Sequence, residues 1–180
     1  MKRLLAQLRS AQLRGMGAKV GRRCRISFLA TVSTEAGGHI AIGSNTYIHQ
    51  YARLESYGGD IRIGDHCSIN PFCILYGHGG LTVGNGVRIA AHTMLISANH
   101  NFQDAGRPIF EQGLSRKGIR VEDDVWIGAG ARILDGVTIG RGCVIGAGAV
   151  VTKSTRANGI YVGAPAKWIG ERGEAESRAA

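Results

Sequence analysis

Proline is scarce in this chain, with three residues, and aromatic side chains make up only 6% of it. So little proline excludes a collagen-like reading of the abundant glycine. No run of about 18 apolar residues occurs, so no membrane-spanning helix is expected. The four cysteines include no C-x-x-C pair, and neither a disulfide nor a metal cluster is expected of them. No basic-aromatic module of the RNA-binding kind is present, and nucleic acid is not an expected partner. The start, "MKRLLAQLRSAQLRGMG", lacks the continuous apolar stretch of a secretory leader, which makes the cytoplasm the expected compartment.

What is present is glycine, 28 residues in 180, about twice ordinary usage. A hydrophobic content of 44% argues against disorder, and the length suits one domain with its own core. Many tight turns are therefore expected. The net charge of +9 favours anionic partners, a phosphorylated cofactor among them. Leu4, Leu5, Leu8 and Leu13 fall on or near one face of a helix expected within residues 1–17, beside Lys2, Arg3, Arg9 and Arg14. That helix is read as a cover for the end of the fold, with contact to a membrane surface as the alternative. The charged tail, residues 170–180, is assigned no function.

The main signal is a beat of six. Aliphatic residues stand at Val121, Ile127, Ile133, Ile139, Ile145 and Val151, and the same step links Ile42, Ile48 and Leu54 and also Ile63, Ile69, Leu75 and Leu81. Gly often follows the aliphatic, and four positions after it the residue is small or β-branched, as at Thr46, Ala52, Val87, Thr93, Ala131 and Ala149. Neither the helix period nor the strand period gives this repeat. A chain wound in flat sides does, with one inward aliphatic per short strand and a Gly, Asn or Asp turn between sides. Cys24, Cys67, Cys73 and Cys143 occupy the small-residue position, which makes them buried packing residues. The beat fails in "LISANHNFQDAGRPIFEQG", Leu95 to Gly113, where the chain needs a loop. Long loops in compact repeat folds are usually functional or disordered.

Three further stretches, "DDVWIGA", "IGAGAVVTK" and "GAPAK", are similar to the hexapeptide-repeat acyltransferases, above all the galactoside and maltose O-acetyltransferases and the bacterial polysaccharide O-acetyltransferases. The resemblance runs from about Val20 to Ile169. It implies an all-β fold, a left-handed parallel β-helix over residues 20–169 with a protruding loop at 97–118, and short terminal helical segments in a single domain, 1–180. It implies acetyl-CoA as cosubstrate, a small-molecule or glycan acceptor, and a homotrimer with its sites between neighbouring helices.

The resemblance also implies roles. A sugar hydroxyl is a poor nucleophile until its proton is taken, and a neutral imidazole suits that task near pH 7. "SANHNF" matches the motif around the family's catalytic His, so His100 is the implied general base. Asn70, in "SINPF", is implied beside the thioester. The tetrahedral oxyanion needs a donor, implied near Ala129. Ala129, Ala147, Thr152, Lys153, Lys167 and Trp126 are the implied coenzyme A contacts, and Ser56 is an implied acceptor contact. The group that orients the imidazole is left open between Asp104, Glu111 and a backbone carbonyl. His39, His49, His66, His78 and His92 are read as turn or surface residues.

The expected activity is acetyl transfer from acetyl-CoA to a sugar hydroxyl, in cell-surface polysaccharide biosynthesis. The N-terminus is shorter and more basic than in the galactoside and maltose enzymes, and His78 stands where they carry an acidic residue, so those two acceptors are not favoured. N-acetylation of an amino sugar, serine acetylation and a non-catalytic trimeric scaffold are the alternatives. A zinc enzyme on the same scaffold, like the γ-class carbonic anhydrases, would need two His five residues apart, and no two here have that spacing. No metal is expected.

Overall fold

The computed structural model describes residues 2–173, so residues 174–180 of the charged tail lie outside the described residues. One inward aliphatic every six residues requires a flat side for each hexapeptide, and the chain supplies three sides per coil. The first face stacks Lys19–Val20, Ile40–Ile42, Ile61–Ile63, Leu81–Val83, Ile119–Val121 and Thr138–Ile139. The second runs from Arg25–Ile26 through Tyr47–Ile48, Ser68–Ile69, Arg88–Ile89 and Trp126–Ile127 to Val144–Ile145. The third comprises Thr31–Ser33, Arg53–Glu55, Ile74–Tyr76, Met94–Ile96, Arg132–Ile133 and Val150–Val151. Within each of these series neighbours pair in parallel, at the roughly 4.8 Å spacing of hydrogen-bonded strands. The fold is a left-handed parallel β-helix.

The beat residues form its core. Ile48, Leu54, Ile69, Leu75, Ile89, Leu95, Ile127 and Ile133 are at most 1% exposed. Burial of each contributes roughly 1.5–3 kcal/mol, and stacking makes the core continuous. The small position four residues on is buried as well, and its polar members tie one coil to the next. Thr46 and Thr93 donate Oγ1 hydrogen bonds to the carbonyls of Gly64 and Gly128, at 2.9 and 3.0 Å. The Cys67, Cys73 and Cys143 thiols donate to the carbonyls of Gly84, Ala90 and Arg156. Burial pushes the Cys73 thiol up to about 11. The cysteines are thus small buried hydrogen-bonding groups, all free.

The corners follow the faces and take their numbers. At the first corner a side-chain ladder runs down the coil: Asn85 accepts from the Asp65 N–H at 2.8 Å, and Asp123 accepts from the Asn85 N–H at 2.7 Å. Ser44 is a further rung of it, accepting from the Arg22 N–H at 3.1 Å and donating its own N–H to Asp65. At the second corner, Tyr51, Phe72 and His92 occupy the left-handed region, and their rings stack at 5.0 and 4.9 Å.

Helix α1, Lys2–Gly15, packs on Lys19–Val20 and Arg25–Ile26 at the start of the coil. Its Leu13 is 1% exposed. The Arg9 guanidinium is drawn under it to reach the Ala30 carbonyl at 2.7 Å, and burial lowers its pKa. Gly17, in the left-handed region, ends the helix as the Ala18 N–H turns back to the Leu13 carbonyl. At the other end Gly159–Val162 joins the second face in parallel and Lys167–Glu171 returns antiparallel along it. No described helix is long and apolar enough to cross a membrane.

Candidate active site

Between Ile96 and Ile119 the chain leaves the coil at the third corner. Two anchors hold the departure. Ser97 is fully buried, donates to the Tyr76 carbonyl at 2.8 Å and accepts from the Gly79 N–H. Asp135, one coil on, accepts from the Ser115 hydroxyl at 2.9 Å and from the N–H groups of Lys117 and Gly118. Between the anchors the loop is a two-residue antiparallel ladder, Asn99 against Ser115 and His100 against Leu114. Gln112 fixes its tip, donating to the carbonyls of Asp104 and Arg107.

His100 is exposed on this hairpin, its backbone set by pairing rather than by a mobile tip. Neither Asp104 nor Glu111 meets its ring. The Asp104 carboxylate accepts from the Gly106 N–H inside the loop, and the Glu111 carbonyl accepts from Arg107. No described residue hydrogen-bonds the imidazole.

On the coils just before the loop, the same corner carries a cluster that sequence reasoning did not single out. Arg53 Nε donates to Glu55 Oε1 at 2.6 Å, and Glu55 is buried. The Tyr57 hydroxyl bonds to Glu55, and that bond, with burial and the Glu55 charge, pushes the phenol up to about 12. Tyr57 lies 4.4 Å from the His78 ring and edge-on to Tyr76 at 4.9 Å. His78 Nδ1 is buried with no partner among the described residues. Burial lowers the His78 pKa, Arg116 adds to this, and Asp135 opposes it. The signal was present: "SYGG" and "YGHGG" place aromatic or imidazole rings at one corner of successive coils. Ser56 is wholly buried beside Tyr57, and a Cβ built on Gly38 would meet its side chain.

The second corner is different in kind. Asn70 is half-buried and donates Nδ2 to the Ile89 carbonyl at 2.8 Å. Further along the same edge, Ala129 and Ala147 are exposed and their N–H groups make no hydrogen bond within the described chain. Each is followed by a left-handed glycine, Gly130 or Gly148, where an added Cβ would meet nothing within 4 Å. The edge is therefore open and lined by unpaired donors. Trp126 lies on the outer side of the second face, 56% exposed, and Lys167 is exposed in the returning strand of that face.

The sequence-derived residues thus fall on two edges. Asn70, Ala129 and Ala147 share the second corner, with Trp126 and Lys167 on the face leading to it. His100 and Ser56 belong to the third corner, as do Thr152 and Lys153, exposed just past Val150–Val151. A single copy does not bring both sets onto one edge.

Residues 118–153 match the family model described as bacterial transferase hexapeptide, six repeats. The chain is 32% identical over 133 residues to a probable acetyltransferase of Mycobacterium tuberculosis, covering 74% of this chain and 44% of that one. It is 29% identical over 174 residues to a dTDP-4-amino-4,6-dideoxy-D-glucose acyltransferase of Escherichia coli, covering 93% and 90%. A crystal structure of an N-acyltransferase from Bacillus cereus, in complex with dTDP and 3-hydroxybutyryl-CoA, superposes with a TM-score of 0.80 at 26% identity, over 93% of this chain and 90% of that one. The chain spans about half the length of the first curated acetyltransferases it matches.

Proposed function

The chain is a hexapeptide-repeat protein of the bacterial transferase kind, and from that premise we propose that it transfers an acetyl group from acetyl-CoA to a sugar hydroxyl. The observation that carries the reading is the presence in one chain of an exposed imidazole on an anchored hairpin at the third corner and of an open, donor-lined edge at the second.

In this reading His100 takes the acceptor proton as the hydroxyl oxygen attacks the thioester carbonyl. A bond forms from that oxygen to the acetyl carbon. The carbon–sulfur bond then breaks, and the proton held by His100 returns to the leaving thiolate. The Ala129 N–H stabilises the tetrahedral oxyanion, and a free backbone donor can do so without reorganising. Asn70 positions the acetyl group. Ala147, Thr152 and Trp126 flank coenzyme A, while Lys153 and Lys167 supply charge to its phosphates as mobile point cations. Ser56 supports the acceptor pocket from beneath Tyr57. Because the two sets of residues occupy different corners, the working site takes its second corner from one copy and its third corner from a neighbour. A closed three-fold ring supplies three such junctions.

A second acceptor class has support of its own. The E. coli relative and the B. cereus structure match this chain over nine-tenths of its length, and both are named for acyl transfer involving amino sugars or as N-acyltransferases. An amine reacts once it is unprotonated, so the same base and donors serve.

The test is acceptor-dependent release of free thiol from acetyl-CoA across sugars, sugar nucleotides and amino-sugar nucleotides. His100→Ala is expected to lower turnover by about 10²–10⁴-fold with the fold intact. Equal rates for the two proteins would remove His100 as the base.

A further inference from the structure

The chain's charge is not spread along the coil. Its first 34 residues contain eight basic side chains and no acidic one, so this stretch carries +8 of the net +9. The structure gathers half of those charges into one place. Between helix α1 and the first corner of the first coil lies a cavity of about 590 Å³, lined by Arg14, Arg22, Arg23 and Arg25 with Ser10 and Asn45. Among the described residues no carboxylate lines it, and none of the four arginines forms an ion pair. The nearest acidic group along this corner, Asp65, lies two coils down, its carboxylate committed to the Ser44 N–H.

Two of the four guanidinium groups are held by contacts that leave their charge intact. Arg14 donates Nε and Nη2 to the Val20 carbonyl at 3.1 and 2.8 Å, and Arg25 lies 5.3 Å from the Tyr47 ring centroid. Arg22 and Arg23 are exposed at the rim, and their side chains make no hydrogen bond among the described residues. Arg23 also sits in the left-handed region, at φ 56°, a conformation that disfavours a long side chain. Four like charges facing one cavity repel one another, and an anion between them turns that repulsion into attraction. Planar guanidinium forks match phosphate oxygens two at a time. The volume admits a diphosphate with a substituent. The first corner carries none of the residues assigned to acyl transfer.

We propose that this arginine cavity binds a phosphate-bearing anion, a diphosphate or phosphodiester group, at a site separate from the acyl-transfer edge. The group can belong to a soluble diphosphate compound or to an anionic lipid headgroup. Leu5 and Leu8 stand exposed on the neighbouring helix and would favour the second source.

The experiment uses the full chain, native and as Arg22→Gln/Arg23→Asn, with Asn chosen because it tolerates a positive φ. Inorganic pyrophosphate is titrated by calorimetry at constant ionic strength, and sedimentation is measured with phosphatidylglycerol and phosphatidylcholine vesicles. Lys153→Gln/Lys167→Gln serves as the control for anion binding at the other end of the coil. Saturable pyrophosphate binding that weakens at least about tenfold in the arginine variant, and not in the lysine variant, supports the site with a soluble ligand. Sedimentation with phosphatidylglycerol vesicles alone, lost in the arginine variant and without pyrophosphate binding, supports it with a lipid headgroup. Binding of neither probe, or binding that the arginine substitutions leave unchanged, overturns it.

Discussion

At the scale of single residues, the third corner shows how neighbours decide what a titratable group can do. His78 has a buried, unpartnered Nδ1 and sits between two tyrosines, with Arg116 close enough to disfavour a second positive charge. Its pKa in the fold is therefore below the ordinary value near 6.5. Between the two values the unfolded chain takes up a proton that the folded chain refuses. The stability this His permits is full above about pH 6.5 and is lost as the pH falls toward its folded pKa. Thermal melts of the native chain should fall more steeply between pH 7.5 and 5.5 than those of His78→Gln. Identical pH dependence would mean that the buried nitrogen is paired in solution. Sequence analysis reads His78 as a turn or surface residue, because its partners Tyr57 and Tyr76 become neighbours only once consecutive coils stack. Motif context singles out His100 and Asn70 as candidates, but the edge each occupies was not legible until the coils were stacked.

Among the structural elements, the tight third corner limits change where the outer returning strand, Lys167–Glu171, tolerates it. The beat of six makes the three faces and the inward residues legible in the sequence, because each hexapeptide repeats one physical requirement. The corners are less legible, since each solves its turn differently: Asn and Asp ladders at the first, stacked rings at the second, close-packed glycines at the third. A Cβ at Gly59 would run into the Gly77 carbonyl oxygen, a backbone atom that cannot give way cheaply. Gly59→Ala should lower the stability measured by urea denaturation by about 1–3 kcal/mol, through overpacking. Gly170→Ala, where the same atom meets nothing within 4 Å, should change it by less than about 0.5 kcal/mol. Equal effects would show that the coils do not approach one another so closely at the third corner.

For the whole molecule, the coil is a rigid ruler that separates functions by corner and by end. The basic cavity lies at the N-terminal end of the first corner, and the two halves of the proposed acyl-transfer site lie on the second and third corners. A solenoid does not fold those two edges together, so in the proposed site the second edge comes from another copy. The most direct test mixes two inactive proteins, His100→Ala and Asn70→Ala, co-expressed with different tags so that mixed assemblies can be isolated. In a three-fold ring drawing one residue from each side of every junction, each mixed assembly holds one junction in three with both native residues, and thiol release from acetyl-CoA should recover to about one third of the native level. Mixed assemblies as inactive as their parents would place both residues in a site within one copy, or remove one of them from the chemistry, and would contradict the account.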